Sequence, residues 1–261
     1  MLKLATWNVN SIRIRLGLLE RLEKEEALDV LCLQEVKAKE EDFPFDEIKR
    51  LGFDNIALYG MAGYNGVAIL SKLPLENAQR HDHVGKSDAR HISACINDVE
   101  IHNIYIPAGG DVPDINENPS FLHKLNFVDE MADFFADESN RKILICGDFN
   151  IAPSKNDVWS HKALLQTVSH TPIEVEKLQN FFAKGKFVDA VRHIYNEPQK
   201  IYSWWSYRNP NWQTNDKGRR LDHIWVSKNM TDAVDDIKIR KDFRAMERPS
   251  DHAPVIITLK L

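Results

Sequence analysis

The chain has 261 residues, of which 43% are hydrophobic and 28% are charged, an ordinary composition for a globular protein. Its formal net charge of −5 does not by itself indicate a nucleic-acid-binding protein, but a net charge averages over faces that can differ in sign. No apolar run approaches the roughly 18 residues that cross a bilayer, and the first residues are too polar for a secretory signal, so we expect a cytoplasmic protein without membrane contact.

The cysteines are three in number and widely spaced, which argues against a disulfide framework. Cys32, Cys95 and Cys146 each lie beside aliphatic residues, and no pair has the spacing of zinc ligands. We expect reduced side chains that pack in the core.

In chain order, short apolar runs repeatedly adjoin polar residues, a pattern typical of buried strands bounded by turns. The runs extend from Leu2 to Trp7 before Asn8, from Val30 to Leu33 before Gln34 and Glu35, from Ile101 to Ile106 before Pro107, from Ile143 to Cys146 before Gly147, and from Ile224 to Val226 after Asp222 and His223. A lone Asp at a strand end is more often a turn or cap residue, but several such ends with metal-type side chains indicate a site.

Helices are predicted between some of these strands. Apolar residues recur at helical spacing from Phe121 to Phe135 after the start signal Pro119-Ser120, and a second helix is predicted from Ile173 to Phe182. No repeat, linker or shift in composition marks a domain boundary. The mixture of helices with strands such as Gly66 to Leu70 predicts two packed sheets with helices outside.

The segment Gly147-Asp148-Phe149-Asn150 carries the strongest chemical pattern. Residues i and i+2 of an extended chain point to the same face, so we expect Asp148 and Asn150 to project together while Phe149 enters the core. An ionised Asp accepts a proton, and an amide orients a water or a phosphate oxygen. The alternative interpretation is an ordinary Asp/Asn turn after a strand.

Two further groups of residues fit phosphodiester hydrolysis. Asn8 and Glu35 are oxygen donors of the kind that Mg²⁺ prefers, although Glu35 taken alone is more typical of a structural or surface residue. Asp251 and His252 are adjacent, and neighbours in an extended chain point apart, so we expect Asp251 to orient another group or a metal-bound water. The chain lacks a Gly-x-Ser-x-Gly elbow, which favours direct attack by water.

Together these residues resemble the exonuclease III family of abasic-site endonucleases, within the endonuclease/exonuclease/phosphatase superfamily. The resemblance runs nearly end to end and rests on Thr6-Trp7-Asn8-Val9-Asn10, Leu33-Gln34-Glu35, Tyr64-Asn65-Gly66-Val67-Ala68-Ile69, Tyr105-Ile106-Pro107-Ala108-Gly109, Gly147-Asp148-Phe149-Asn150-Ile151-Ala152-Pro153, Ser203-Trp204-Trp205, Leu221-Asp222-His223 and Arg248-Pro249-Ser250-Asp251-His252-Ala253-Pro254. It implies one domain over residues 1–261, with the α/β fold of a four-layered sandwich in which two packed mixed β-sheets are flanked by helices.

The resemblance also implies a Mg²⁺ or Mn²⁺ ion, held mainly through Glu35 with Asn8 near it and Asp251 supporting the metal site. It places Asp148 on the attacking water, Asn150 beside the phosphate, and Tyr105 and His252 on phosphate oxygens, with Asp222 supporting the network. The candidate metal ligands are Asn8, Glu35, Asp148, Asn150, Asp251 and His252, and the candidate catalytic residues are Tyr105, Asp148, Asn150, Asp222 and His252. The implied activities on double-stranded DNA are cleavage 5′ to abasic sites, 3′-to-5′ degradation and removal of 3′ blocking groups, by a monomer.

The candidate DNA-binding residues are Trp204, Arg208, Arg219 and His170. We expect Trp204 to stack on DNA and Trp205 to turn into the core, because neighbours in a strand face opposite ways. His170 and Arg219 are candidates for narrowing the pocket for a base-free sugar, and the alternative for His170 is a histidine of a surface loop. A basic rim is expected to contact phosphates, the alternative being scattered solvated charges, and it comprises Arg13, Arg15, Lys37, Arg208, Lys217, Arg219 and Arg220.

Two other functions compete with DNA repair. A superfamily relative that acts on phosphoinositides or sphingomyelin shares the metal and Asp-His residues, but this chain has no membrane-anchoring helix and has Trp204 with basic neighbours. A non-enzymatic DNA-binding module does not need Glu35, Asp148 and Asn150 together. Phosphate release from a 3′-phosphorylated oligonucleotide separates the enzymes, and metal dependence separates both from the module.

Overall fold

The structure is a computed structural model that describes residues 1–136 and 140–261. The strands are β1 (Leu2–Asn8), β2 (Val30–Gln34), β3 (Asn55–Tyr59), β4 (Val67–Ser71), β5 (Glu76–His83), β6 (Lys86–Ile96), β7 (Val99–Tyr105), β8 (Lys142–Asp148), β9 (Phe187–Asp189), β10 (Asp222–Ser227), β11 (Val234–Ile239) and β12 (Val255–Leu259). The α-helices are α1 (Ile12–Glu26), α2 (Phe45–Arg50), α3 (Pro119–Phe134), α4 (His161–Leu164), α5 (Pro172–Lys184), α6 (Ala190–Ile194) and α7 (Trp212–Asn215). Short 3₁₀ turns are Glu40–Asp42, Lys228–Ala233 and Lys241–Ala245.

The strands form two six-stranded mixed sheets. The first has the order β11-β12-β1-β2-β4-β3, and the second has the order β5-β6-β7-β8-β10-β9. Each sheet holds one parallel pair at its centre, β1 with β2 and β7 with β8, and its other neighbours are antiparallel. The predicted mixed sheets are confirmed.

Side chains along each strand point alternately to the two faces of the sheet, which produces the layers of the fold. In β1, Leu2 and Leu4 pack in the core between the two sheets, whereas Ala5 and Trp7 pack on the outer face beneath α1. The second sheet repeats the pattern, because Leu144 faces the first sheet and Ile145 packs with residues of α3 and α5. The result is the predicted four-layered sandwich, with helices on both outer faces.

The two long helices of the second sheet begin where the sequence predicts. Asn118 caps α3 by accepting hydrogen bonds from the N–H groups of Ser120 and Phe121. Thr171 and Glu174 form a capping box at the start of α5, with Pro172 in the first turn. Among the described residues, no helix combines the length and the apolar character that a membrane crossing requires.

The cysteines occupy the positions expected of core side chains. Cys32 and Cys146 are buried between the sheets, and Cys95 is half-buried. All three are free thiols.

The strand directions bring the polar strand ends together. The parallel pairs β1/β2 and β7/β8 place Asn8, Glu35, Tyr105 and Asp148 at their carboxyl ends, and residues at the carboxyl ends of parallel strands meet at one edge of a sheet. β10 is antiparallel to β8, so Asp222 at its start pairs with Asp148.

Candidate active site

A cavity of about 670 Å³ opens at this edge. Residues from both sheets line it, so neither sheet forms the site alone. Among them are Glu35, Tyr105, Asp148, Asn150, Trp159, Ser169, Trp204, Arg208, Lys217, Arg219, Asp251 and His252.

The backbone around the cavity is unusually strained for residues that are not glycine. Asn10, Glu35, Lys37 and Asn150 have φ angles of 45°, 51°, 50° and 53°. Left-handed conformations of this kind cost energy in L residues and cluster at functional sites. At Gly147, with φ 141°, an added Cβ would lie 1.9 Å from the Ile104 carbonyl oxygen, so only glycine fits there.

Glu35 lies at the centre of a hydrogen-bond network. Its Oε1 accepts from Asn8 Nδ2 at 2.8 Å and from the Tyr105 hydroxyl at 2.9 Å, and Lys37 Nζ lies 2.8 Å from Oε2. Burial alone would raise the pKa of Glu35, but the hydrogen bonds from Asn8 and Lys37 outweigh it and lower the pKa. Glu35 is therefore a carboxylate at neutral pH.

Tyr105 keeps its proton at neutral pH. It is buried, and burial together with the charges of Glu35 and Asp148 raises its pKa well above the usual value of tyrosine. The phenol is therefore a hydrogen-bond donor in the cavity.

Asp148 and Asn150 project together, as predicted. Asn150 Nδ2 lies 3.2 Å from Asp148 Oδ2, while the intervening Phe149 is buried against Trp225. Asn8 Nδ2 also donates to Asp148 Oδ2, at 2.9 Å. Burial raises the pKa of Asp148 to about 7, despite the nearby His252. A carboxylate with a pKa near neutrality is well matched to accepting a proton from water.

His252 is held between two carboxylates. Its Nδ1 lies 2.9 Å from Asp222 Oδ2, and its Nε2 lies 3.6 Å from Asp148 Oδ2. Burial alone would lower the pKa of His252, but the charges of Asp222 and Asp148 raise it to about 10. The ring is therefore an imidazolium at neutral pH, with an N–H on each nitrogen and no lone pair for a metal ion.

Asp251 lines the same cavity as its neighbour His252 but contacts different residues. Its Oδ2 accepts from Trp204 Nε1 at 2.9 Å, and its Oδ1 lies 3.4 Å from Asn10 Nδ2. Trp204 is half-buried on the cavity wall, whereas Trp205 is 1% exposed, so the predicted alternation of the two tryptophans is confirmed.

The oxygen groups around Glu35 suit a hard divalent cation. Lys37 Nζ lies between Glu35 Oε2 and Asn10 Oδ1, at 2.8 and 2.6 Å, so this position already attracts a positive charge. Glu35 and Asp251 line the same cavity, and such carboxylates fit Mg²⁺ or Mn²⁺ better than softer metals. Asn8 turns its amide nitrogen toward the carboxylates, and its Oδ1 accepts from Asn10 N at 3.0 Å. Asp148, Asp222 and His252 form a second group of closely spaced ligand atoms.

One wall of the cavity is aromatic and basic. The Arg219 guanidinium lies over the Trp204 ring, 5.1 Å from its centroid, and donates to Val168 O and Ser169 Oγ at 3.1 and 2.7 Å. Lys217 Nζ lies 4.7 Å from the Trp159 ring centroid. Trp159 was not among the predicted site residues, because an isolated Trp between loop residues carries no pattern that distinguishes it from a core residue.

His170 does not have its predicted position. It is 2% exposed, and its nitrogens contact Ala152 O at 2.7 Å and His161 Nδ1 at 2.8 Å. It lies behind the cavity wall, and the surface beside it is formed by Val168 and Ser169. The prediction that His170 contacts DNA and narrows the pocket is wrong, because its loop turns the imidazole inward.

Three residues of the predicted basic rim do not line the cavity and are engaged within the protein. Arg15 is buried and donates to the carbonyl oxygens of Asn10 and Pro249, and Lys37 pairs with Glu35. Arg220 is buried in a two-bond ion pair with Asp157, at 2.7 and 3.0 Å. Arg13 is exposed but does not line the cavity, so Arg208, Lys217 and Arg219 are the rim residues that do.

Comparison with known proteins places this geometry among nucleases. The sequence profile of the endonuclease/exonuclease/phosphatase family matches residues 5–252. An exodeoxyribonuclease III from Haemophilus influenzae is 31% identical, over 97% of this chain and 98% of its own length. An AP endonuclease from Archaeoglobus fulgidus has a TM-score of 0.93 and 30% identity, and a 3′ phosphatase from Neisseria bound to a product DNA hairpin has a TM-score of 0.92 and 31% identity. Each of these two matches covers 100% of this chain and 100% of the other structure's chain.

Proposed function

Because the chain belongs to the endonuclease/exonuclease/phosphatase family, we propose that it is a metal-dependent DNA-repair nuclease of the exonuclease III type. It hydrolyses phosphodiesters 5′ to abasic sites, degrades duplex DNA from 3′ to 5′, and removes 3′ phosphates and other 3′ blocking groups. Residues 1–261 act as one catalytic domain, because both sheets of a single chain complete the cavity, and we propose that this domain acts as a monomer.

The observation that carries this proposal is the meeting of two kinds of residue in one cavity. Glu35, Asp148 and His252 supply the groups that phosphodiester hydrolysis requires. Trp204 and Arg219 supply a flat, positively charged wall on which a nucleotide can stack. An enzyme for a small soluble phosphate ester has no need of the second set.

Asp148 is the general base in this mechanism. Its carboxylate takes a proton from the attacking water. Its raised pKa lies close to neutral pH, which suits a group that must accept and then release a proton. Asn8 positions the carboxylate by donating a hydrogen bond to Asp148 Oδ2. The Asn150 amide contacts the same oxygen and orients the water or a phosphate oxygen. No side-chain nucleophile enters the reaction.

His252 and Tyr105 compensate the charge of the phosphate. The imidazolium of His252, positioned by Asp222, donates from Nε2 to a phosphoryl oxygen, so we assign His252 to the phosphate rather than to the metal. The Tyr105 phenol donates to a second oxygen. Both groups keep their protons at neutral pH. Asp222 orients His252 before substrate arrives, whereas the Tyr105 hydroxyl donates to Glu35 until a phosphate oxygen is present.

Glu35 and Asp251 are the groups that would hold the divalent metal ion, and Asn8 positions Glu35 by donating to it from its amide nitrogen. The ion neutralises phosphoryl charge and stabilises the leaving oxygen when bound. We propose Mg²⁺ or Mn²⁺, because the donors are hard oxygen atoms. A metal ion bound to Glu35 would compete with Lys37, whose Nζ lies 2.8 Å from Oε2.

A three-substrate assay tests the proposal. The chain is incubated with an abasic duplex, a 3′-phosphate duplex and a blunt duplex, with Mg²⁺, with Mn²⁺ and with chelator. We expect metal-dependent products from the DNA substrates, and their rates rank the three activities. Release of phosphate from an inositol phosphate in place of DNA would establish the phosphoinositide alternative, and metal-independent DNA binding without products would establish a binding module.

A further inference from the structure

A cluster of histidines lies on the outer face of the second sheet, apart from the catalytic cavity. Two members come from β5 and one each from β6 and β7, and a glutamate lies at each end of the cluster. The histidines are His81, His83, His91 and His102, and the glutamates are Glu100 on β7 and Glu130 on α3. None of these residues lines the catalytic cavity.

Three of the histidines and both glutamates form a continuous row of polar contacts. Glu130 Oε1 lies 3.0 Å from His83 Nδ1, and His83 Nε2 lies 2.9 Å from His91 Nδ1. The row continues from His91 Nε2 to His102 Nδ1 at 2.8 Å, and from His102 Nε2 to Glu100 Oε1 at 2.9 Å. Four contacts of hydrogen-bond length therefore join two carboxylates through three imidazoles.

The row is one proton short. A carboxylate only accepts hydrogen bonds, and a neutral imidazole carries one N–H, so three neutral rings supply three protons for four contacts. Glu130 draws the proton of His83 to Nδ1, which in turn requires the proton of His91 on its Nδ1. Glu100 draws the proton of His102 to Nε2. With both glutamates accepting, the 2.8 Å contact between His91 Nε2 and His102 Nδ1 is filled either by a further proton or by a metal cation.

His81 brings a third ring to the same place, and its Nε2 lies 2.8 Å from Ser93 Oγ. The rings of His81 and His91 are 4.3 Å apart, and ligand nitrogens of His81, His91 and His102 all lie within 4.8 Å of one another.

We propose that His81, His91 and His102 bind a divalent transition-metal ion such as Zn²⁺, at a structural site separate from the active site. A tetrahedral ion with Zn–N bonds of about 2.1 Å holds its ligands about 3.4 Å apart, so the gap between His91 and His102 opens by roughly half an ångström. Imidazole nitrogens favour Zn²⁺, Co²⁺ and Ni²⁺ over Mg²⁺, which separates this site from the oxygen-rich cavity.

The outer contacts already have the form that metal-bound histidines require. A ligating histidine usually donates its other N–H to a carboxylate or another acceptor, which fixes the tautomer and strengthens the ligand. Here His102 donates to Glu100, and His91 donates to His83. His83 in turn donates to Glu130. His81 is half-exposed and gives the ion a route from solvent, whereas His91 and His102 are buried.

Co²⁺ titration of the full chain tests the site, because tetrahedral Co²⁺ with nitrogen ligands absorbs visible light far more strongly than six-coordinate Co²⁺ with oxygen ligands. The titration is done in Glu35→Gln, which weakens binding in the catalytic cavity, and in the wild type. We expect one equivalent of the strongly absorbing form in both, and its displacement by Zn²⁺. Adding His81→Asn to Glu35→Gln should abolish it, and adding His193→Asn, at an exposed histidine outside the cluster, should not.

A second variant guards against misfolding of the first. Glu100→Gln keeps the shape of the side chain and removes the charge behind His102, and should weaken Zn²⁺ affinity by roughly 10–100-fold. Thermal melts should show a Zn²⁺-induced rise in Tm for the wild type and His193→Asn that is reduced in Glu100→Gln. Absence of a tetrahedral Co²⁺ spectrum in the wild type, or Zn²⁺ affinity unchanged in both His81→Asn and Glu100→Gln, overturns the proposal.

Discussion

At the scale of single residues, the site depends on carboxylates whose environments differ sharply. Glu35 accepts several hydrogen bonds and has a lowered pKa, whereas burial raises the pKa of Asp148 to about 7. Two carboxyl groups in one cavity are thereby suited to different roles, the first to a cation and the second to a proton. Both roles depend on Asn8, which donates to each of them.

Asp148→Asn should reduce turnover by roughly 10²–10⁴-fold, because the amide keeps the shape of the side chain but cannot accept the proton of water. DNA binding should persist or tighten as a negative charge leaves the phosphate site. The measurement is single-turnover cleavage of a 3′-phosphate duplex, with binding followed separately. Asp111→Asn, an exposed cavity-lining change of the same kind, is the matched control and should stay within a few-fold of wild type. Near-normal turnover in Asp148→Asn would show that another group is the base.

Trp204→Ala should raise KM for abasic and 3′-phosphate duplexes, since stacking on an aromatic ring is worth about 1–3 kcal/mol per base. Trp204→Phe separates the ring from its N–H, because it keeps a stacking face but loses the hydrogen bond to Asp251. We expect Trp204→Phe to recover much of the KM and to retain a defect in kcat. Equal KM values in Trp204→Ala and wild type would remove the tryptophan from the DNA contact.

At the scale of elements, a buried ion pair joins α3, α5 and the loop that holds Asn150. Lys124 and Glu174 are both fully buried and lie 2.6 Å apart. Lys124 Nζ also donates to Asn150 O at 2.8 Å and to Ala108 O at 3.2 Å. Glu174 in turn accepts from the N–H of Ser169, on the cavity wall. The helices therefore hold the catalytic loop through charge-assisted bonds as well as through apolar packing.

Lys124→Met should lower the free energy of unfolding by about 3–5 kcal/mol, because it leaves Glu174 as a buried charge without its partner. It should also lower kcat, since the Asn150 backbone loses its anchor. Lys177→Met is the matched control: it breaks the partly exposed Lys177–Asp129 pair between the same two helices and should cost less than about 1 kcal/mol. Urea unfolding measures both. Equal losses in the two variants would mean that burial of the pair does not matter.

At the scale of the whole molecule, an acidic chain can hold DNA only if basic groups concentrate near the cavity. Arg208, Lys217 and Arg219 line it, whereas Arg220 is held in a buried ion pair and Lys37 in a partly exposed ion pair with Glu35. The net charge of −5 therefore says little about the face that meets DNA.

The logarithm of duplex affinity should fall linearly with the logarithm of salt concentration, with a slope of about −0.9 for each neutralised phosphate. Arg208→Ala and Lys217→Ala should each reduce the size of the slope by about 1. Arg50→Ala, at an exposed position on α2 outside the cavity lining, should leave it unchanged. Binding is measured by fluorescence anisotropy with metal-free protein. A slope that none of these variants alters would place the phosphate contacts elsewhere.

Global stability should decrease in acid partly through His223. This ring is buried, Nε2 donates to Ile151 O at 2.9 Å, and Nδ1 has no hydrogen-bond partner among the described residues. Burial is the main cause that lowers its pKa to about 4. The folded state therefore stays neutral while the unfolded state binds a proton below about pH 6.5, so stability is full above that pH and is lost as pH falls toward 4.

The difference of about 2.5 pKa units corresponds to roughly 3 kcal/mol at most. His223→Gln should make the unfolding free energy depend less on pH between 7 and 4, although its value at pH 7 can fall through lost packing on Phe149. His193→Gln, at an exposed position, should keep the wild-type pH dependence. A pH dependence unchanged by His223→Gln would mean that other groups account for the acid loss.

The sequence alone was sufficient to predict how the polar and aromatic side chains at the strand ends are oriented relative to their neighbours. Strands alternate with a period of two residues, so the joint projection of Asp148 and Asn150, and the opposite directions of Trp204 and Trp205, follow from local geometry. The four-layered sandwich follows from apolar runs, helix signals and the family resemblance. These properties depend on residues near one another in the chain.

Only the tertiary structure decided which charges are free to act. Arg220 and Arg208 are equally basic in sequence, but Arg220 is neutralised by Asp157, 63 positions away, whereas Arg208 reaches the cavity. The inward turn of His170, the high pKa of His252 and the row of histidines from β5 to β7 likewise depend on partners on other elements. Electrostatic energy varies with distance and burial, and both are set by packing between segments that the sequence order does not place together.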